Sequence, residues 1–245
     1  MKAHTLIVIF ALVSLFACGR TNPKIVSSDF IPVSAVTPVD TAFHKQLDAF
    51  KQQMSHEMDV EIGVSSQNMT AELPEGLLNN FVAETMLEYG NTIKHTDIAI
   101  SNMGGLRRDL PEGNITVGII YELMPFYNKL VFLELKGSEV DSLCQTIAKK
   151  GGDVVAGVSL MITQNHQATN IKVEGKPINP DKTYRIITTD YLSEGMDHLA
   201  PLANYQKIEH LNIVMSQMMI DAIKTKTAKK QLIKTTLKNN IYVEK

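Results

Sequence analysis

A chain of 245 residues with 44% hydrophobic and 20% charged residues has enough apolar content to bury a packed core and too little charge for a disordered polymer. A formal net charge of −2, with no concentrated basic stripe except residues 224–238, argues against nucleic-acid binding. Two cysteines, Cys18 and Cys144, leave no disulfide framework.

In chain order, Met1-Lys2 and the apolar stretch from Leu6 to Phe16 read as a signal-peptide core too short to span a bilayer. Leu15-Phe16-Ala17-Cys18 has the form of a bacterial lipoprotein cleavage box, so residues 1–17 are expected to be removed and Cys18 lipidated. The alternative is a plain secretory cleavage near Ala17 with Cys18 incidental. Residues 18–39, rich in Gly, Thr, Asn, Pro and Ser, form a tether. This reading places the chain in the bacterial cell envelope, periplasmic or cell-surface, attached to the membrane through its N-terminal lipid.

One domain is expected over residues 40–245. Asp40 can cap a helix carrying Phe43, Leu47, Phe50, Met54 and Met58 at helical spacing. A strand at 60–64 precedes a helix at about 76–89, with Leu78, Phe81, Val82 and Leu87 on its core face. Strands are expected at 96–101, 129–136, 158–163, 170–174 and 183–189, with helices at about 116–123, 137–150 and 207–225. In the helix at 137–150, Val140, Leu143, Cys144 and Ile147 share one face, which makes Cys144 a core residue and not a nucleophile. The hairpin-like link Glu174-Gly175-Lys176 argues that part of the sheet is antiparallel, giving a layered α/β fold with mixed sheets. Gly151-Gly152 with Gly157 is a lone glycine cluster without the Gly-Lys-Ser/Thr of a phosphate loop. The twelve methionines read as core filling, and the lysines from Lys224 to Lys238 as the solvated face of a terminal amphipathic helix.

Chemistry concentrates in a few segments. Asn102-Met103-Gly104-Gly105-Leu106-Arg107 follows the buried run Ile98 to Ile100, so a strand runs into a turn where two glycines let the backbone approach a ligand. Arg107 adds a fork of donors beside it. Leu123-Met124-Pro125-Phe126-Tyr127-Asn128 precedes the strand from Lys129, and the strand from Tyr184 delivers Asp190-Tyr191-Leu192-Ser193-Glu194-Gly195-Met196-Asp197 to a loop. Phe126 and Tyr191, both at strand ends, can sandwich a heterocycle, an arrangement worth about 1–3 kcal/mol per stacked base.

In this order the segments from about Asp97 to Asp197 resemble the C-terminal domain of the 5'-nucleotidase family, which carries Asn-x-Gly-Gly-Ile-Arg, then Leu-Pro-Phe-Gly-Asn, then Tyr or Phe before Leu-x-x-Gly-Gly-Asp. The resemblance implies that domain's layered mixed-sheet sandwich. It also implies that Phe126 and Tyr191 hold a base, Asn102 and Asn128 meet its edge, Asp197 bonds the ribose hydroxyls, Gly104 and Gly105 line the turn, and Arg107 sits at the phosphate end. Met103 and Met196 stand where that family has glycine. Asn80 matches the asparagine of the family's Glu-x-x-x-Gly-Asn-Leu stretch, but the arginine that precedes it there is missing; the chain has only Arg20, Arg107, Arg108 and Arg185.

Full-length members resemble two-domain enzymes whose other half is a two-metal phosphoesterase with Asp-x-His, Gly-Asn-His-Asp/Glu and Gly-His-x-His segments. Two-metal hydrolysis needs such clusters to generate hydroxide and clamp the phosphoryl oxygens. None of those segments occurs here, and the seven histidines are scattered. His56 with Asp59, or Glu194 with His198, could be drawn as ligand pairs but read as ordinary polar positions. No catalytic or metal-binding residue is therefore assigned. The expectation is a nucleotide-recognition chain that works with a separate metallophosphoesterase chain holding the divalent metal pair. A non-catalytic nucleoside-binding lipoprotein, or a structural lipoprotein whose pocket is closed by Met103 and Met196, are the alternatives.

Overall fold

The structure, a computed structural model, describes residues 27–29 and 40–244; the expected signal peptide, Cys18 and nearly all of the tether lie outside the described residues. The chain divides into two units, residues 1–46 and 47–245, and the division falls inside the first described helix. That helix is α1 (Thr41–Met58). The Asp40 carboxylate accepts hydrogen bonds from the backbone N–H groups of Ala42 and Phe43 at 3.0 and 3.1 Å, the expected cap. Phe43, Phe50 and Met54 along it are exposed. No helix among the described residues is long and apolar enough to cross a membrane.

The second unit contains three sheets. Strand β1 (Glu61–Ser65) pairs antiparallel with β3 (Gly113–Thr116). The central sheet has five strands in the order β10 (Lys207–Val214), β4 (Lys129–Lys136), β9 (Thr183–Thr189), β2 (Ile98–Ser101), β5 (Val154–Ala156). Only β2 and β9 run parallel there; the other pairings are antiparallel. The third sheet is ordered β11 (Ile241–Val243), β6 (Val158–Ile162), β7 (Ala168–Val173), β8 (Lys176–Pro177), with β11 and β6 parallel. The mixed-sheet expectation holds, including the β7–β8 hairpin at Glu174-Gly175.

Alternation along the central strands explains why they read as continuous apolar runs. In β4, Leu130 and Phe132 enter one core while Val131, Leu133 and Leu135 enter another. In β9, Ile187 faces the first core and Tyr184 and Ile186 the second; in β5, Val154 and Ala156 oppose Val155. A sheet buried on both faces needs apolar residues at both parities. The first core is closed by α2 (Leu77–Ile93), α3 (Val117–Leu123) and α6 (Met215–Ala228). The second is closed by α4 (Gly137–Lys150) and the third sheet. Met215, Met218 and Met219 are buried in the first core, so these methionines fill space between helix and sheet.

Two expectations at the C-terminal end are corrected. Residues 207–225 are not one helix: 207–214 form an edge strand on β4, and α6 begins only at Met215. The lysine-rich stretch is not a terminal helix either, since α6 ends at Ala228. Beyond it the chain is pinned by Glu75, whose carboxylate accepts the backbone N–H groups of Asn239 and Asn240 at 3.0 and 2.9 Å. Ordinary backbone–side-chain bonding thus satisfies the segment without helical hydrogen bonds.

Gly157 marks the passage from β5 in the central sheet to β6 in the third. Its φ is +79°, and a Cβ there would lie 2.1 Å from the Asp97 carbonyl oxygen.

Cys144 is buried on α4 as expected. Burial, with a smaller contribution from the Asp141 charge, pushes its thiol up from 9.0 to about 12. A thiol raised in the folded state contributes stability that is complete below its unfolded pKa and is lost as pH rises from 9.0 toward about 12. Iodoacetamide at pH 8.5 is expected to leave Cys144 unmodified in the folded chain and to label it after denaturation, as read by mass spectrometry.

Candidate functional site

Three neighbouring strands of the central sheet place the site. β2 and β9 run parallel, so their C-terminal ends emerge at one edge; β4 runs against β9 and begins there, with Leu130 opposite Thr189. The segments following β2, preceding β4 and following β9 therefore meet in space although they lie far apart in sequence. Seven residues singled out from the sequence line one cavity of ≈ 230 Å3 at this edge: Asn102, Gly104, Gly105, Phe126, Asn128, Tyr191 and Asp197. Phe126 and Tyr191 are 46% and 44% exposed, so both present ring surface outward and neither is consumed by the core. An adjoining depression of ≈ 340 Å3, lined by Tyr121, Tyr127 and Gln217 among others, shares Phe126 but gathers no carboxylate.

Each wall has a local cause. Gly104 and Gly105 lie in a single 3-10 turn, Met103–Gly105, closed by Gly105 N–H to the Asn102 carbonyl at 3.0 Å. A Cβ on Gly105 would stand 2.9 Å from the Asn102 side-chain oxygen, so the second glycine leaves room for the Asn102 amide. Tyr191 sits on a short helix, α5 (Asp190–Ser193), whose Leu192 N–H donates to the Thr189 hydroxyl at 3.3 Å. The Asp190 carboxylate takes the backbone N–H groups of Lys129 and Tyr191 at 3.0 and 2.8 Å. It thereby ties the start of β4, where Asn128 lies, to the residue carrying the second ring.

Arg107 is the one expected site residue absent from the lining. Its backbone N–H donates to Leu123 and its side chain is exposed, with one long contact of 3.5 Å to the Gly104 carbonyl. Arg108 instead pairs with Glu122. Met103 and Met196 are also absent from the lining: the Met103 sulfur accepts from the Asn79 amide at 3.1 Å, and Met196 is exposed. Asn80, matched to the family's asparagine, bonds Glu75 and the Thr236 carbonyl at 3.1 Å each, as part of the anchor of the C-terminal segment.

Sequence reasoning missed a charged group beneath the cavity. Lys150, the last residue of α4, donates to the buried Asp153 at 2.6 Å and to Asp197 at 3.3 Å through the carboxylate and 3.2 Å through the carbonyl. Asp153 also accepts the Met103 N–H at 2.9 Å. Burial pushes the Asp153 carboxyl upward, opposed by Lys150 and by the amides of Met103 and Val154. Burial would lower the lysine, but its bonds and charge partners Asp153 and Asp197 outweigh that and raise it. The only local hint was the Gly151-Gly152 pair.

A second gathering of titratable groups lies at the opposite end of β2. His95 approaches Asp97 and Glu174 at 3.6 Å each, three groups with the donor set to hold a metal ion. The Asp97 oxygens already accept from Lys182 at 3.1 Å and the Arg185 N–H at 2.7 Å.

The comparisons with known proteins agree with the geometry. The family model described as 5'-nucleotidase, C-terminal domain, matches residues 57–204. "Protein UshA" of Yersinia enterocolitica is 30% identical over 189 residues, 75% of this chain and 33% of that protein. "Trifunctional nucleotide phosphoesterase protein YfkN" of Bacillus subtilis is 27% identical over 79% of this chain and 15% of its own length. The chain thus spans a third or less of these two curated relatives. The 5'-nucleotidase precursor from Thermus thermophilus shares the fold, with a TM-score of 0.72 at 24% identity over 84% of this chain and 44% of that one. Sequence, topology and the gathering of the motif residues at one sheet edge agree: the chain belongs to the 5'-nucleotidase C-terminal domain family.

Proposed function

We propose that the cavity between Phe126 and Tyr191 binds the nucleoside part of a nucleotide, and that the chain presents it to a metallophosphoesterase chain supplied in trans. The observation that carries the reading is the convergence of two outward-facing rings, two asparagines and one carboxylate, from three segments, on one cavity. The rings stack on the base without reading it sharply, Asn102 and Asn128 offer amides to its edge, and Asp197 accepts from the ribose hydroxyls in charge-assisted bonds. The partner holds the divalent metal pair and the hydroxide; this chain fixes the scissile phosphate relative to them, and such positioning is a large part of rate acceleration. In the same reading Cys18 carries the lipid that keeps the chain at the bacterial envelope.

The test is AMP hydrolysis by the purified chain with added divalent cation, alone and with a secreted metallophosphoesterase that carries the histidine motifs missing here. The expected result is phosphate release only with both chains present. Turnover by this chain alone would overturn the division of labour.

Arg107 outside the lining favours one variant of this reading, in which the chain is a nucleoside-binding lipoprotein with no hydrolytic partner. Calorimetry tests the phosphate grip directly: adenosine binding as tightly as AMP means the phosphate is not gripped by this chain.

A further inference from the structure

We infer that Lys150 is a positioning residue of the nucleoside site: through Asp153 and Asp197 it locks the glycine turn to the Asp197 loop and sets the Asp197 carboxylate for a ribose cis-diol. The inference rests on the nucleoside reading of the same cavity.

The arrangement begins with a helix stop. Lys150 ends α4, where a cation is favoured by the negative end of the helix dipole. Gly151, with φ +85°, closes the helix through N–H bonds from itself and Gly152 to Ala148 and Ile147 at 3.0 Å. Gly152, with φ +134°, passes so close to Pro74 that a Cβ would lie 2.4 Å from its carbonyl oxygen. The two glycines thus return Asp153 beneath the Lys150 ammonium, three residues on.

The branching pattern exceeds what an ion pair in a core requires. Asp153 has no exposed side-chain surface, and it accepts from Lys150, from Met103 in the glycine turn, and from Val154 at 3.1 Å. The same ammonium continues to both the carbonyl and the carboxylate of Asp197. Asp197 and His198 are consecutive non-glycine residues at positive φ, +54° and +63°, a backbone state that persists only where neighbours hold it. Lys150 supplies one such hold on the Asp197 carbonyl. By taking one carboxylate oxygen it also fixes the plane in which the other meets the cavity. The glycine turn and the Asp197 loop both contribute to the lining, 92 to 95 residues apart in sequence, and the Lys150–Asp153 pair links them.

The experiment compares the native chain with Lys150→Met, Lys150→Arg, and the double variant Lys150→Met with Asp153→Asn, which leaves no unpaired buried carboxylate. Calorimetry with adenosine and 2',3'-dideoxyadenosine reads diol discrimination, and hydrogen exchange reads the amides of Met103 and residues 195–199. Native chain is expected to prefer adenosine about tenfold or more. In Lys150→Met and in the double variant the preference falls toward unity while dideoxyadenosine affinity stays within about twofold, because the two rings are untouched. Exchange rises at residues 195–199 in both variants, and Lys150→Arg restores part of the preference. An unchanged preference, or an equal loss for both ligands, overturns the positioning role. Unchanged exchange overturns the lock, a result readable even without ligand. No adenosine binding by the native chain would instead remove the nucleoside reading itself.

Discussion

Phe126→Ala and Tyr191→Ala are each expected to weaken adenosine binding by about 10- to 100-fold, and the double variant to abolish it at millimolar ligand, by titration calorimetry. Each ring contributes about 1–3 kcal/mol of stacking, so the two together account for most of the affinity a small nucleoside site can have. Both side chains are nearly half exposed and lie outside the two apolar cores, so the folded population should not change. An unaltered melting temperature with lost binding is the signature of a clamp; lost stability would show that the rings support the fold. Full retention of binding in the double variant would move the site elsewhere.

Gly157→Ala carries the largest expected cost in stability, about 3–5 kcal/mol, or roughly 6–20 °C in melting temperature for a domain of this size. Two penalties act together. An alanine dislikes φ +79°, and its methyl would sit 2.1 Å from the Asp97 carbonyl oxygen, a contact that must be relieved by moving backbone. Asp97 precedes β2, and the Gly157 carbonyl accepts the Glu174 N–H at 3.0 Å, so relief would disturb both the central sheet and the β7–β8 hairpin. The check is thermal unfolding against Gly175→Ala, a glycine at φ +75° with nothing within 4 Å of an added Cβ. A similar loss in both would mean that backbone conformation alone, not the close approach, sets the penalty.

The elements that the sequence reveals are those whose side-chain pattern is dictated locally. β4 at 129–136, β9 at 183–189 and α4 at 137–150 occupy the residues expected of them. The motif residues were legible because each sits within a few positions of a strand end, and the family pattern supplies their pairing across the sheet. β10 was not legible, because Ile208, Leu211, Met215 and Met218 repeat at three and four residues and so imitate a helix face. What makes 207–210 a strand is the β4 edge about 75 residues earlier, which no local pattern encodes. Lys150 was hidden for the same reason: its partner Asp197 lies 47 residues away. Arg107 is adjacent to the glycine turn in sequence, yet its side chain is exposed and outside the lining.

The cavity borrows its walls from strands that are partners in one sheet but strangers along the polypeptide, so it has no existence in any fragment or half-assembled intermediate. Occupancy by a nucleoside would therefore count only the wholly formed molecule and, by mass action, would raise its melting point with the logarithm of ligand concentration. A melting shift that goes on climbing with the logarithm of adenosine concentration after binding is saturated would make the native population itself the reporter of the ligand.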